Sequence, residues 1–470
     1  MTIQYKDPAG GSPSSVGSQI RLDHFVKKAL IEAAKEMPFS QLADTTAMPK
    51  NQGKKIKRYH YIPLLDDANI NDQGIDAAGA STVKEKTIII SLNGVFNLYT
   101  SKYAVGEGAD DAAALAAAQA RALDMLVNEL GFTGASYAAA KADAEAAGVL
   151  VDDTSVPVPA SGNLYGSSKD IGVISAKLPL LSETGGRVNR VGFKRVEIEG
   201  TFNKFGIFDE YTQESLDFDS DEELMMHITR EMLNGANEIT EDMLQMDLLN
   251  SAGVVRYGGS ATSTAEISGE TGNVSLITYS DLMRLEIDLD NNRCPKNTTM
   301  VTGSRMIDTK TIEGARYIFI GSELIPQIRK MKDTFDNPAF ISVEKYANAG
   351  NVARGEIGAI GGFRFIVARE MQHWAGAGAA VTTNAGYRET GGNYDVYPML
   401  VVGAESFTTI GFYTDGKSSK FTIYHKKPGL ETADRNDPYG ETGFMSIKWY
   451  YGFFPLRPER IAVVKTVAEW

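Results

Sequence analysis

A single cysteine in 470 residues, Cys294, excludes an internal disulfide, and a lone thiol fits a reducing compartment. Packing and hydrogen bonds must hold the fold. Nowhere do eighteen apolar residues run together, so no segment reads as a membrane-crossing helix. Basic excess is also missing. The chain has 47 Lys and Arg against 60 Asp and Glu, a formal charge of -13. That balance argues against general binding of nucleic acid or of an anionic membrane. The start, "MTIQYKDPAGGSPSSVGSQ", has no apolar core of signal-peptide type, so a soluble protein made in the cytosol is expected.

Catalytic patterns are scarce. There is no H-E-x-x-H, no paired C-x-x-C and no G-x-S-x-G. The five histidines, His24, His60, His227, His373 and His425, are scattered singly. Two acidic clusters open with the spacing of a calcium loop: Asp217, Asp219 and Asp221, then Asp288, Asp290 and Asn292. Each fails at the glycine position, where Glu222 and Arg293 stand, and the first has Ile228 where a bidentate Glu is needed. They read instead as a helix cap and a loop. No catalytic residue, no cofactor and no metal site is expected.

What is present is length enough for a sizeable core in two or three domains, and much patterned sequence. In "GEIGAIGGFRFIVAREM", glycines fall at 355, 358, 361 and 362, but they do not fit G-x-G-x-x-G and no helix follows. The alternation of "FRFIVAR" predicts a strand, so Gly361 and Gly362 are read as a hairpin turn. Further strands are expected from 51 in "NQGKKIKRYHYIPLLDD" and from 191 in "VGFKRVEIEGTFNKFGIFDEYT". Between them an Ala-rich stretch predicts two helices about Gly131 to Gly134, with Asp110 or Asp111 capping the first and Gly148 ending the second. Its acids at 107, 110, 111, 124, 129, 143 and 145 face only Arg121 and Lys141, which excludes a DNA-reading helix pair.

The clearest element starts near Ser220, which with Glu223 forms a capping-box pattern. Met225, Ile228, Met232, Ala236, Ile239, Met243 and Met246 then make one apolar stripe of helical period, ending before Gly253. The later half suggests strands at "ARYIFIG", "RFIVAR", "YPMLVVG", "FTIYH", "FMSIKWYYGF" and "RIAVVKTV", with a helix at "SELIPQIRKM". The class is mixed α+β with long connections.

In this order the segments "RYHYIPLLDD" at 58, "GTFNKFGIFDEYT" at 200, "SRMIDTKTIEGARYIFIGSELIPQI" at 304, "DNPAFISVEKYA" at 336, "GEIGAIGGFRFI" at 355, "YDVYPMLVVGAESF" at 394 and "DPYGETGFMSIKWYYGFFPLRPERIAVV" at 437 carry a resemblance. The chain resembles the major capsid proteins of tailed bacteriophages, in the N-four-like podophage family of the Hong Kong 97-type capsid fold. The resemblance implies an N-terminal arm with a helix at 1–48 and an elongated loop at 49–215 that includes the Ala-rich helical insertion at about 100–165. It implies a peripheral domain at 216–300 and 431–470 with a spine helix at 219–252, and a mainly axial domain at 301–430. It further implies a structural, non-enzymatic virion protein that self-assembles in hexamers and pentamers into an icosahedral shell around double-stranded DNA. Separate scaffolding, portal and decoration proteins are the expected partners, and synthesis is expected in the bacterial host cytoplasm. A nanocompartment shell of the same fold and a soluble cytosolic enzyme are the alternatives.

Charge adds an expected contact. Lys54, Lys55, Lys57 and Arg58, with Lys50, would meet Asp209, Glu210, Glu214 and Asp217, with Asp219 and Asp221, on a neighbouring subunit. Solvated faces, or pairing within one subunit at the base of the loop, are the competing readings. If the intersubunit contact forms, reversing the basic cluster blocks assembly and reversing both clusters restores it, as scored by sedimentation; normal assembly of the singly reversed chain removes the contact.

Overall fold

The computed structural model of the chain describes residues 38–39, 42, 44–48, 53, 55–61, 84–92, 96–105, 112–153, 195–214, 224–301, 309–313, 316–345, 355–384, 386–412, 421–429 and 437–469. The expected arm helix, the Ser220 to Glu223 capping box, the Asp110 or Asp111 cap and the first acidic cluster fall outside them. The described residues divide into two compact units. One holds 209–214, 224–234, 425–429 and 437–445; the other holds the rest.

The larger unit is organised by a seven-stranded mixed sheet. Its order is Ile341–Ser342, Glu356–Ile360, Phe363–Val367, Arg316–Ile320, Tyr397–Val402, Ile461–Thr466 and Val254–Tyr257. Arg316–Ile320 runs parallel to Phe363–Val367 and antiparallel to Tyr397–Val402. Every residue of the three strands Arg316–Ile320, Tyr397–Val402 and Ile461–Thr466 is buried. Unbroken burial along a strand means that both faces of the sheet are covered.

One face is covered by helix Tyr279–Asn291, whose Leu282, Leu285 and Leu289 pack with Ile318, Ile320, Phe363, Phe365, Met399, Val401 and Val464. Three- and four-residue leucine spacing gives the helix its single apolar stripe. Thr278 and Asp281 close its start in a reciprocal capping box. Asp288 and Asp290 therefore sit on the last turns of a helix, not in the expected loop. On the other face the ring of Phe39 lies 4.9 Å from that of Phe319, and the Phe39 N–H donates to Glu241 Oε1 at 2.7 Å.

The Gly361-Gly362 turn is the two-residue hairpin loop read from the sequence: Ile360 pairs with Phe363 across it, and Gly361 has φ 56°. A Cβ on Gly361 would lie 2.7 Å from Met283 Cε, and one on Gly362 would lie 2.4 Å from Glu286 Oε1. The turn needs glycine at 361 for its left-handed backbone, while the atoms met by either Cβ are the ends of flexible side chains that can move aside.

The expected spine is helix Leu224–Asn250, 27 residues long, or roughly 40 Å at 1.5 Å per residue. Met232, Ala236 and Met243 are buried, but Ile239 is 40% exposed and corrects the expected stripe. The buried line passes instead through Ala236, Thr240, Leu244 and Leu248, a four-residue step that leaves Ile239 at its margin. Gly253 acts by close approach: its N–H donates to Pro458 O at 2.9 Å, and a Cβ would meet that oxygen at 2.6 Å.

The spine also buries charge-bearing groups. Asp247 is 8% exposed and accepts the Tyr451 hydroxyl at 2.7 Å. Burial pushes its carboxyl up to about 7, against an ordinary 3.8. The folded carboxyl thus keeps a proton that the unfolded chain releases near pH 4. Its contribution is complete below pH 4, falls by about 1.4 kcal/mol per unit as pH rises towards 7, and is gone above that. Asp247→Asn should flatten this stretch of the stability profile and raise stability at pH 8, measured by urea melts of the unassembled chain; an unchanged profile would show that Asp247 is ionised in the fold.

Candidate assembly surfaces

Two segments more than a hundred residues apart meet as a strand pair. Lys55–Tyr61 runs antiparallel to Arg195–Thr201, with Lys57 opposite Glu199 and Tyr59 opposite Glu197. Alternation places Ile56 on the opposite side from Lys55, Lys57 and Tyr59, and Ile56 packs against the cluster of Phe202, Phe454, Tyr450 and Leu456. Lys55, Lys57, Arg58 and Tyr59 are exposed. Lys54 lies outside the described residues.

The acidic candidates lie on another strand, Asn203–Thr212, where Asp209 and Glu210 are exposed, as is Glu214 just beyond it. Asp217 lies outside the described residues. Basic candidates fall in the larger unit and acidic ones in the smaller. The register sets one basic residue of the strand, Lys57, opposite an acidic residue of its own chain, Glu199. In the same sheet as Asn203–Thr212 are Thr442–Tyr451 and Phe421–Lys426. Trp449 lies between the rings of Phe205, at 6.1 Å, and Phe421, at 5.7 Å.

The Ala-rich region is a folded unit with more strand than its sequence suggested. Helix Ala112–Asp124 continues through a π-turn at Met125–Glu129, and helix Tyr137–Ala146 follows. Strands Lys84–Leu92, Phe96–Val105 and Val149–Asp152 make an antiparallel sheet beside them. Ile88, Ile90, Ala118, Ala122, Leu126, Ala140 and Val149 form its core. Small alanines let the two helices and the sheet approach closely. Gly131 and Gly148 take left-handed backbone at the two helix ends, with φ 76° and 89°.

A buried ion pair ties this unit to the large sheet. Glu129, on the π-turn, meets Lys465, on strand Ile461–Thr466, at 2.5 Å, with side chains 5% and 10% exposed. Lys465 Nζ also donates to Thr264 Oγ1 at 2.8 Å and lies 4.3 Å from the ring centre of Trp374. Thr264 Oγ1 donates to Glu129 Oε1 at 2.7 Å, and its N–H donates to Asp124 Oδ2 at 3.3 Å. No local pattern signals this contact, because its partners are 336 residues apart.

Asp288 accepts from Arg256, and Asp290 pairs with Arg316 and Lys296, so the second calcium-like cluster is occupied by cations of the chain itself. Among the described residues no group of three or more His, Cys, Asp or Glu could hold a metal. His373 stacks on Tyr397, and His425 Nε2 hydrogen-bonds the Tyr211 hydroxyl at 2.5 Å. Cys294 is buried, and its burial raises the thiol pKa, which makes it a core thiol with little nucleophilic character.

Residues 195–466 match the family described as phage capsid protein. The major capsid protein of Pseudomonas phage KPP21 is 53% identical over 467 residues, covering 99% of this chain and 97% of that one. Among solved structures, the capsid of Ralstonia phage GP4 is similar at 13% identity and a TM-score of 0.43, covering 62% of this chain and 80% of that one. The capsid of cyanophage P-SCSP1u is similar at 12% identity and a TM-score of 0.41, covering 95% and 92%. The chain belongs to the phage capsid protein family, and its described residues form the mixed α+β architecture expected from the sequence. It is a structural subunit of a phage head shell, built by association of copies of this chain.

The anchor yields a prediction. Glu129→Leu or Lys465→Met alone leaves a buried charge without its partner and should cost about 3–5 kcal/mol, whereas the double substitution should recover most of it. Denaturant melts of the four chains measure the coupling; additive losses would show that the pair does not fasten the insertion.

Proposed function

We propose that this chain is the major building block of an icosahedral head, set in hexamers and pentamers around packaged double-stranded DNA. The observation that carries the reading is identity over nearly the whole length to a major capsid protein, which leaves no large part of the chain for another task. In this reading 1–48 is the arm, 49–215 the elongated loop, 216–300 and 431–470 the peripheral domain and 301–430 the mainly axial domain. Direct pairing of Lys55–Tyr61 with Arg195–Thr201 supports a loop whose two sides run back to back and whose far part carries the helical insertion.

Charge supports the container role. A wall of net -13 per copy holds DNA without gripping its phosphates, so packing and release are not opposed by many tight contacts. Identical subunits in closed symmetry repeat each contact many times, so modest single contacts add to a strong lattice. Scaffolding, portal and decoration proteins are separate chains in this reading, and the subunit is made in the bacterial cytoplasm before it enters the virion.

Electron microscopy and sedimentation of the recombinant chain, with and without a candidate scaffold, test the proposal. Closed angular shells of one size are expected when scaffold is present. Uniform shells from this chain alone would remove the separate scaffold, and a small discrete oligomer under both conditions would overturn the shell.

A further inference from the structure

Two turns, one in each compact unit, share a design that the shell contacts described so far do not use. In the first, Asp333 Oδ1 accepts the N–H groups of Phe335 at 2.8 Å and Asn337 at 2.9 Å, and Asp333 O accepts from Asp336 N–H at 3.2 Å. In the second, Asp437 accepts the N–H groups of Glu441 at 3.1 Å and Thr442 at 2.8 Å and the Thr442 hydroxyl at 2.6 Å, while Asp437 O accepts from Gly440 N–H at 3.2 Å. In each, the residue three after the aspartate is left-handed: Asp336 and Gly440 both have φ 67°. In each, an aromatic stands two after the aspartate and points into solvent.

Those aromatics, Phe335 at 84% and Tyr439 at 80%, are the most exposed large hydrophobic residues among those described; the next, Phe208 at 68%, lies on a strand. A single exposed apolar residue needs no explanation. A pinned turn under each of the two most exposed is a shared feature, with residues suited to left-handed backbone, Asp336 and Gly440, at the matching position. The aspartate bonds hold the aromatic's backbone in one conformation before anything binds, which lowers the ordering cost of docking. Rigid aromatic anchors of this kind are what dominate binding energy in protein interfaces.

We propose that Phe335 and Tyr439 are docking knobs, each inserting into an apolar recess on a second copy of this chain. The inference rests on the shell reading, which makes further copies the partner present at highest local concentration. Charge points the same way. Copies of net -13 repel at long range, so their contacts need short-range apolar insertion to close.

Thiol labelling tests this cleanly, since the native Cys294 is buried. Phe335→Cys and Tyr439→Cys chains are treated with a maleimide as free subunits and as closed shells stripped of other proteins. Both positions lie in solvent, so each free chain should keep the wild-type melting temperature and label quickly. In shells, labelling at both positions should slow by about tenfold or more, or the folded variant should fail to assemble, as loss of a central aromatic anchor predicts. Shells that form normally and label at the free-subunit rate would overturn the proposal, as would protection seen only when another protein is bound. Failure of the wild-type chain to form any shell would instead strike the shell reading itself.

Discussion

Burial of both faces of the seven-stranded sheet is the constraint on which the rest depends. Its three fully buried strands come from positions 316, 397 and 461 onward, so distant parts of the chain must arrive together before any face is closed. Leu282, Leu285 and Leu289 close one side and Phe39 lies on the other. Apolar burial of this kind contributes roughly 1.5–3 kcal/mol per large side chain, well above the worth of exposed ion pairs. The sheet is therefore a stiff plate, and polar groups inside it serve position more than stability.

Arg316 and Lys465 illustrate that role. Arg316, 2% exposed in the plate, donates to Asp290 and to the Cys294 carbonyl, which ties the helix end to the strand beside it. Lys465 reaches out of the last strand to Glu129 and fixes where the inserted unit stands. A buried pair adds little net stability over an apolar contact, yet it penalises every arrangement that leaves one charge alone. For a subunit that must fit many identical neighbours, holding this unit in one place matters more than a further increment of stability.

Much of this was legible in the sequence where the signal is local. The Gly361-Gly362 hairpin, the spine helix, the six later strands and the helical pair around Gly131 follow from periodicity and turn chemistry. Helix Tyr279–Asn291 is masked in the sequence because Asp288, Asp290 and Asn292 also mimic the opening of a metal loop, although Thr278, Asp281 and the leucine stripe announce a helix. Ile239 falls within the apolar stripe by period yet lies at its exposed margin, because a stripe of mean period cannot show which margin a neighbour covers. The Glu129 to Lys465 anchor and the strand Val149–Asp152 depend on partners remote in sequence, and no window of residues contains them. The resemblance supplied the role, and the residues alone supplied only a large α+β protein without a reactive site.

Hydrogen exchange on the free subunit and on the closed shell measures the central claim, that a rigid plate carries the outward elements that bind. The account predicts that amides of Arg316–Ile320, Tyr397–Val402 and Ile461–Thr466 are equally protected in both states. Protection gained on assembly should fall on Lys55–Tyr61, on Asn203–Thr212 and on the turns at Phe335 and Tyr439. Large changes within the plate, with none in those outer elements, would contradict it.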